Sequence, residues 1–557
     1  MMSKPLSRSP AALLRDPRIW VLAATLVVYG YLGLLVIGRG WGDGPDGFCG
    51  AAFSQNGMNH VKLGWLRTDF APIWDVGWNG ESGRQTYDVH NPFGLSWLIG
   101  ITYAVFGVSE PSSRAIALAA NLLAVVLFFR LAGRLMRPLW QLAATVAFAF
   151  APLFLTDRVF VAPEILCFPA IIGFVDAYVR WVQSGGGRDV RRLALWLVAG
   201  TLTEWWFYFA VAGVALHALL GGRWRAALAL GGGAVAAFGV FMLHVRFASG
   251  SFNGGDSVAG NLWHILLFRL NLSPDSNYGI TPSSVYHLAV SSWTSFVPRP
   301  MTIGLTLSPL ALVVPGCRTT TRSLVLLVMD MLLLFMLVGF CVFSNQFNIH
   351  PWYTFSSFTP FLALLFGLGL DATHALARRA GRVAGVVVAM ALVALAPWSA
   401  VSGHRFDQTQ DYKPSTLIEF LRAHPDDLAI TFIVHPQAYQ FRYCLERRNV
   451  RVVRTLAEAE ALHRTQGVKY LLVSAANPGP EETSIHEALR ARPYQRREVS
   501  SLGSRYLAVT LGDGAPCTRG GAPRAVVRST SSHRSGSCWS ASSACSGRST
   551  RRRPSSP

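Results

Sequence analysis

WVLAATLVVYGYLGLLVI, residues 20–37, runs for eighteen residues without a charge, directly behind Lys4, Arg8, Arg15 and Arg18. At ~1.5 Å per residue a helix of that length crosses a ~30 Å hydrocarbon core. Lys and Arg gathered ahead of the run hold its beginning in the cytoplasm. No A-x-A cleavage pattern follows closely, since the next residues are Gly38, Arg39, Gly40, Trp41 and Gly42, so the run reads as a retained first span or signal anchor. Further apolar runs lie at 115–135, 139–155, 165–182, 193–203, 205–220, 226–245, 303–315, 324–343, 355–370 and 383–400, which makes roughly eleven spans.

Arginine placement decides the sides. Residues 93–106 form an apolar run of only fourteen residues, a length of interfacial or re-entrant helices rather than crossings. If that segment stays outside, the cytoplasmic loops receive Arg130, Arg134 and Arg137, then Arg180, Arg188, Arg191 and Arg192, then Arg223, Arg225, Arg318, Arg322, Arg378, Arg379 and Arg382. The opposite short loops keep little beyond Arg158, as the positive-inside bias requires. The same parity splits 193–220 at Thr203-Glu204 into two short membrane segments.

The whole composition agrees. Of 557 residues 51% are hydrophobic and 14% charged, with mean hydropathy +0.33, too apolar for a soluble chain of several cores. The net charge of +20 sits largely in short loops between apolar runs and so reads as topology, not as nucleic-acid binding. Eight cysteines (49, 167, 317, 341, 444, 517, 538, 545) contain no C-x-x-C pair and no metal spacing. The expectation is a mainly α, polytopic transmembrane bundle, N-terminus in and C-terminus out. It divides into a cytoplasmic N-terminus (1–18), a membrane domain (19–400) with long outer loops at 39–106 and 248–302, and an extracytoplasmic α/β domain (401–512). Within the last, strands at 428–434, 450–454, 468–474 and 505–511 alternate with helices at 416–423, 457–466 and 485–492. A tail rich in Arg and Ser (513–557) has no apolar periodicity, is expected to be disordered and is assigned no function.

Chemistry is expected at the outer face. The loop 39–106 carries Asp43, Asp46, Asp69, Asp75, Glu81 and Asp88 with His60 and His90, and a loop of that length commonly serves a function. Asp46 follows the first span closely, where a shielded carboxylate could act as a general base, although Asp43 and Asp46 beside glycine and proline also suit plain turns. Asp157 and Glu164 flank the next outer loop, and ionisable groups at membrane depth usually face a cavity. Asp157-Arg158 equally suits an interface marker. Arg114 and Arg158 could grip a phosphate bidentately. Glu204 interrupts the paired short helices, and His350 with Tyr353 stands at the outer end of the tenth span. The α/β domain has no Gly-rich phosphate loop, since Val434-His435-Pro436-Gln437 follows its first strand.

Read in order, Asp46-Gly47-Phe48-Cys49, Ser54-Gln55-Asn56, Tyr87-Asp88-Val89-His90-Asn91-Pro92-Phe93, and Phe106-Gly107-Val108-Ser109-Glu110 followed by Arg114 resemble the first outer loop of C-superfamily glycosyltransferases that use lipid-linked sugars. The similarity is to family 39, which includes protein O-mannosyltransferases and lipid A aminoarabinose transferases, and it spans roughly residues 20–373. The chain departs from the family pattern at Gly47, where a second acid is common, at Asn91, where proline is common, and at Glu204, where lysine is common. Asn348-Ile349-His350-Pro351-Trp352-Tyr353 is similar to a His-x-Tyr-Tyr stretch of bacterial members. The resemblance implies an inverting glycosyltransferase of the bacterial inner membrane. It would move a sugar from a polyprenyl-phosphate donor to an acceptor hydroxyl on a protein, glycan or glycolipid at the extracytoplasmic face. Asp46 would be the base, Asp157 or Glu164 a second catalytic acid, and His90, Arg114, Arg158, Glu204, His350 and Tyr353 substrate contacts. Asp46 with Asp157 or Glu164 could hold a divalent ion. Many spans with buried charge also suit a transporter or flippase of lipid-linked envelope substrates, or a non-catalytic envelope scaffold. Paired inverted repeats, frequent in transporters, are not evident.

Overall fold

A computed structural model describes residues 16–42, 45–75, 86–88, 91–252, 262–272, 281–314, 322–409, 415–424, 428–430, 451–453, 455–475, 480–491, 494–501 and 504–512. Seven helices are long and apolar enough to cross a membrane: Pro17–Ile37, Glu110–Leu135, Pro163–Ser184, Trp224–Ser249, Arg322–Val342, Pro351–Ala380 and Arg382–Gln408. Two bent pairs, Pro138–Ala149 with Pro152–Val159 (58°) and Pro282–Phe296 with Arg299–Val313 (108°), raise the number to nine if each is one span. The expected runs 193–203 and 205–220 become the helices Gly187–Thr201 and Trp206–Leu220, both outside that set. Proline explains one break: Pro152 opens the helix Pro152–Thr156, where its missing N–H costs nothing.

Burial separates the inside of the bundle from its rim. The apolar windows of Pro163–Ser184 and Pro351–Ala380 are 83% and 78% buried, whereas those of Trp224–Ser249 and Arg382–Gln408 are 11% and 17% buried and face outward. Lipid is as apolar as leucine, so helices associate by close packing, and small residues mark the crossings. A Cβ on Gly369 would collide with the Gly304 carbonyl oxygen, and one on Gly403 with that of Phe150.

Besides the interfacial segment expected at 93–106, the first outer loop holds a packed helix and a strand pair where the sequence shows only turns and acids. The helix Pro45–Leu63 lies against the 13-residue helix Gly94–Phe106, whose length matches the expected non-crossing segment. Gly57 allows the approach, because a Cβ there would strike Ile99. A short antiparallel hairpin, β1 (Ile73–Asp75) with β2 (Thr86–Tyr87), packs beside them.

Residues 415–512 form a five-stranded sheet of β3 (Leu428–Ile430), β4 (Arg451–Val452), β5 (Tyr470–Ser474), β6 (Arg496–Ser501) and β7 (Ser504–Thr510), in the order β4-β3-β5-β7-β6. β3 runs parallel to β4 and β5, while β7 runs antiparallel to β5 and β6. Strand alternation feeds two cores. Leu472, Tyr506 and Ala508 pack with the helix Thr416–Ala423, and Leu471, Val473 and Val509 with Leu456–Gln466 and Pro480–Arg490. The edge strand β6, with Arg496, Arg497 and Glu498, has no apolar run and was not expected; charge of this kind protects an open edge. The residues expected to continue the first strand, 431–434, and the tail 513–557 lie outside the described residues.

Candidate active site

Asp46 sits in the first turn of Pro45–Leu63, beside the positive end of the helix dipole. Arg114 reaches it from the first turns of Glu110–Leu135, Nη2 donating to Asp46 Oδ2 at 2.5 Å, and the Gly42 N–H approaches the same oxygen at 3.4 Å. Among the described residues Asp46 Oδ1 accepts no bond, and the side chain keeps 28% exposure. Desolvation by the surrounding protein raises the Asp46 carboxyl above its ordinary value, with the Arg114 charge pulling it back. Arg114 is otherwise committed to the protein. Its guanidinium donates to the carbonyls of Val36, Arg39 and Gly40 and lies 4.6 Å from the Trp41 ring centre.

Further carboxylates gather nearby. Cys49, one turn along from Asp46, has its thiol pushed well up by burial, with Glu164, Asp46 and Asp157 adding to the effect. Asp157, in the tight turn Asp157–Val159, is 7% exposed and accepts from Ser356 Oγ at 3.2 Å, while Asn121 holds its carbonyl at 3.1 Å. Glu164, in the first turn of Pro163–Ser184, lies within electrostatic reach of Glu204 and Asp157, and its buried Oε2 has no hydrogen-bond partner among the described residues. Glu204 is fully buried and accepts from Tyr353 Oη at 2.7 Å. Burial raises its carboxyl, and Arg269 and Tyr353 offset part of the rise.

The counter-charge comes from Arg269, at the end of the helix Leu262–Arg269 in the second long loop. It acts on Glu164, Glu204, Tyr353 and His350 together. His350 is half-buried, and desolvation lowers its imidazole to about 4 with Arg269 contributing, so it is neutral near pH 7. Its Nδ1, Trp352 Nε1 and Thr354 Oγ1 are buried without a partner among the described residues. Unmet polar atoms of this kind suit a polar ligand.

Of the expected residues, Asp46, Asp157, Glu164, Glu204, His350 and Tyr353 therefore share one region. Arg158 pairs with Asp407 at 2.6 Å and donates to the carbonyls of Leu155 and Leu32, while its charge still reaches Asp157. His90 and Asp43 lie outside the described residues. No three His, Cys, Asp or Glu side chains among the described residues are arranged to hold a metal ion. Sequence reasoning gave Arg269 no role, and its only signal was a cation within an apolar outer loop. It also gave no role to the polar stripe of Pro45–Leu63. There Ser54 meets Ser113 at 3.1 Å, Asn56 donates to Asp88 at 3.0 Å, Asn59 donates to the Ile73 carbonyl at 2.6 Å, and His60 meets Thr68 at 2.9 Å. These bonds fix the helix that carries Asp46.

The sequence matches no family model and no curated protein sequence. Among solved structures, ArnT from Cupriavidus metallidurans bound to undecaprenyl phosphate superimposes with a TM-score of 0.56 at 15% identity, over 89% of this chain and 98% of that one. ArnT of the same organism in the apo state gives 0.51 at 14% identity, over 89% and 99%. Likeness at such low identity is likeness of fold, and by that measure, together with its long apolar helices, the protein is a multi-pass membrane protein with the fold of ArnT.

Proposed function

We propose that the protein is an inverting glycosyltransferase of the bacterial inner membrane, moving a sugar from a polyprenyl-phosphate donor to an acceptor hydroxyl at the extracytoplasmic face. The observation that carries this reading is the gathering of Asp46, Asp157, Glu164 and Glu204 with Arg269 and His350 in the fold of a protein solved with undecaprenyl phosphate. Asp46 takes the proton of the acceptor hydroxyl on Oδ1 as that oxygen attacks the anomeric carbon. The bond from that carbon to the phosphate oxygen breaks, and its electron pair leaves with the polyprenyl phosphate. Arg269 meets the growing negative charge, and neutral His350 donates one N–H to it. Tyr353 and Glu204 hold each other beside this cluster through the phenol's hydrogen bond to the carboxylate. Arg114 aims Asp46, and Arg158 fixes the approach of the last span through Asp407; neither is needed on the phosphate.

The acceptor is a protein, a glycan or a glycolipid bearing a free hydroxyl. Purified protein in nanodiscs, given polyprenyl-phosphate sugars and envelope extracts as acceptors, is expected to release polyprenyl phosphate in step with a glycosylated product. Movement of intact donor across the bilayer, with no phosphate released, is the result that favours a flippase.

A further inference from the structure

The first turns of Glu110–Leu135 carry two charges one helical turn apart, and each holds a different part of the chain. Arg114 holds Asp46, the Val36 carbonyl at the end of the first span, and the Arg39 and Gly40 carbonyls of the strap that follows it. Glu110, with 7% of its side chain exposed, receives the guanidinium of Arg422 from the helix Thr416–Ala423, which packs on the sheet. The strap runs between them: a Cβ on Gly40 would lie 3.3 Å from Arg422 Nη1 and 3.9 Å from Glu110 Oε2. The Ser415 N–H donates to the Trp41 carbonyl at 3.2 Å. Trp41 is itself fully buried against Gly50, one turn beyond Asp46.

We propose that Arg422 is a positioning residue for transfer: by occupying Glu110 it reserves Arg114 for Asp46, which makes the sheet unit a working part of the active site. The inference rests on Asp46 being the base. Without Arg422, Glu110 is a buried carboxylate lacking its partner, and Arg114 at i+4 is the cation within its reach. Arg114 is then divided between two carboxylates. Among the described residues the charged and titratable groups facing Asp46 are Arg114, Asp157 and Cys49, and of these Arg114 is the cation that holds its proton affinity down. Drawing Arg114 away raises that affinity, and the acidic limb of the rate profile moves to higher pH.

The test uses the full chain in nanodiscs with a polyprenyl-phosphate sugar, comparing Arg422→Gln, Arg422→Lys, the double variant Glu110→Gln/Arg422→Gln, Asp46→Asn, and Arg505→Gln on the exposed face of the sheet as a control. Arg422→Gln is expected to lower kcat about tenfold with donor KM unchanged and the acidic limb moved up. Arg422→Lys should recover most of the rate. The double variant, which removes the competing charge, should return the limb to its original position. Thermal unfolding of each variant separates these effects from loss of fold, and should Arg422→Gln not fold, the lysine and double variants decide. Parental kcat and pH profile in Arg422→Gln, with Asp46→Asn inactive, overturn the positioning role while leaving the base intact. A limb displaced equally in the single and double variants also overturns it. Full activity of Asp46→Asn removes the base itself, and this proposal with it.

Discussion

Asp46 is a carboxylate whose surroundings pull in two directions, since desolvation favours its proton and Arg114 opposes it. Burial wins, so its value lies above that of an ordinary carboxyl. A base works only when deprotonated, and transfer should therefore fall as pH drops through this raised value, with the acidic limb displaced upward from that of an ordinary carboxyl; initial rates against pH check it. Tyr353→Phe leaves Glu204 buried without its phenolic donor, and a lost bond to a buried charge costs about 1.5–3 kcal/mol. Binding of the donor should weaken accordingly, as titration calorimetry would read. His60 supplies a stability prediction. Burial lowers its imidazole from 6.5 to about 4, so the unfolded chain takes up this proton first. The stability held above pH 6.5 should be lost as pH falls toward 4, and His60→Gln should flatten that slope in apparent Tm. The sequence showed the acids of this site because a charge amid apolar residues stands out. It did not show that Arg158 is spent on Asp407, because that pairing joins residues 249 positions apart.

Helices were legible wherever an apolar run was long. The first run reappears as Pro17–Ile37, and 115–135, 165–182 and 226–245 fall inside Glu110–Leu135, Pro163–Ser184 and Trp224–Ser249. Hydropathy failed where the chain bends, because a composition count has no term for an angle. The run 303–315 proved to be one arm of a pair turned by 108°. It failed again at β6, whose polar edge lacks the alternation by which buried strands are read. The crossings themselves rest on glycine. Gly369→Val would place two methyls and a Cβ against the Gly304 backbone, where the opposing atom is a carbonyl oxygen and cannot rotate aside. Overpacking of this kind costs about 1–3 kcal/mol or more, and a lowered apparent Tm in detergent is the expected reading.

At the scale of the whole molecule, charge is segregated. Arg130 and Arg134 pair with Asp176, Arg137 with Asp371, and Arg180 and Arg192 with Asp189, on the loops and helix ends assigned to the cytoplasm. The acidic cluster belongs to the other ends of the same helices, where Glu110, Asp157, Glu164 and His350 begin or precede them. In intact cells, and with the native cysteines replaced, a membrane-impermeant maleimide should label Lys62→Cys and spare Arg225→Cys until the membrane is opened. The reverse pattern would invert the topology and move the acidic cluster to the cytoplasm. Transfer from a lipid-phosphate donor with Asp46 as base is read by following labelled sugar from membrane lipid extracts into endogenous acceptors, in membranes holding equal amounts of the parent protein or Asp46→Asn. A labelled product is expected with the parent and a loss of at least about a hundredfold in the variant, the lower end of what a general base contributes. Equal transfer by both proteins, or none by either, would contradict it.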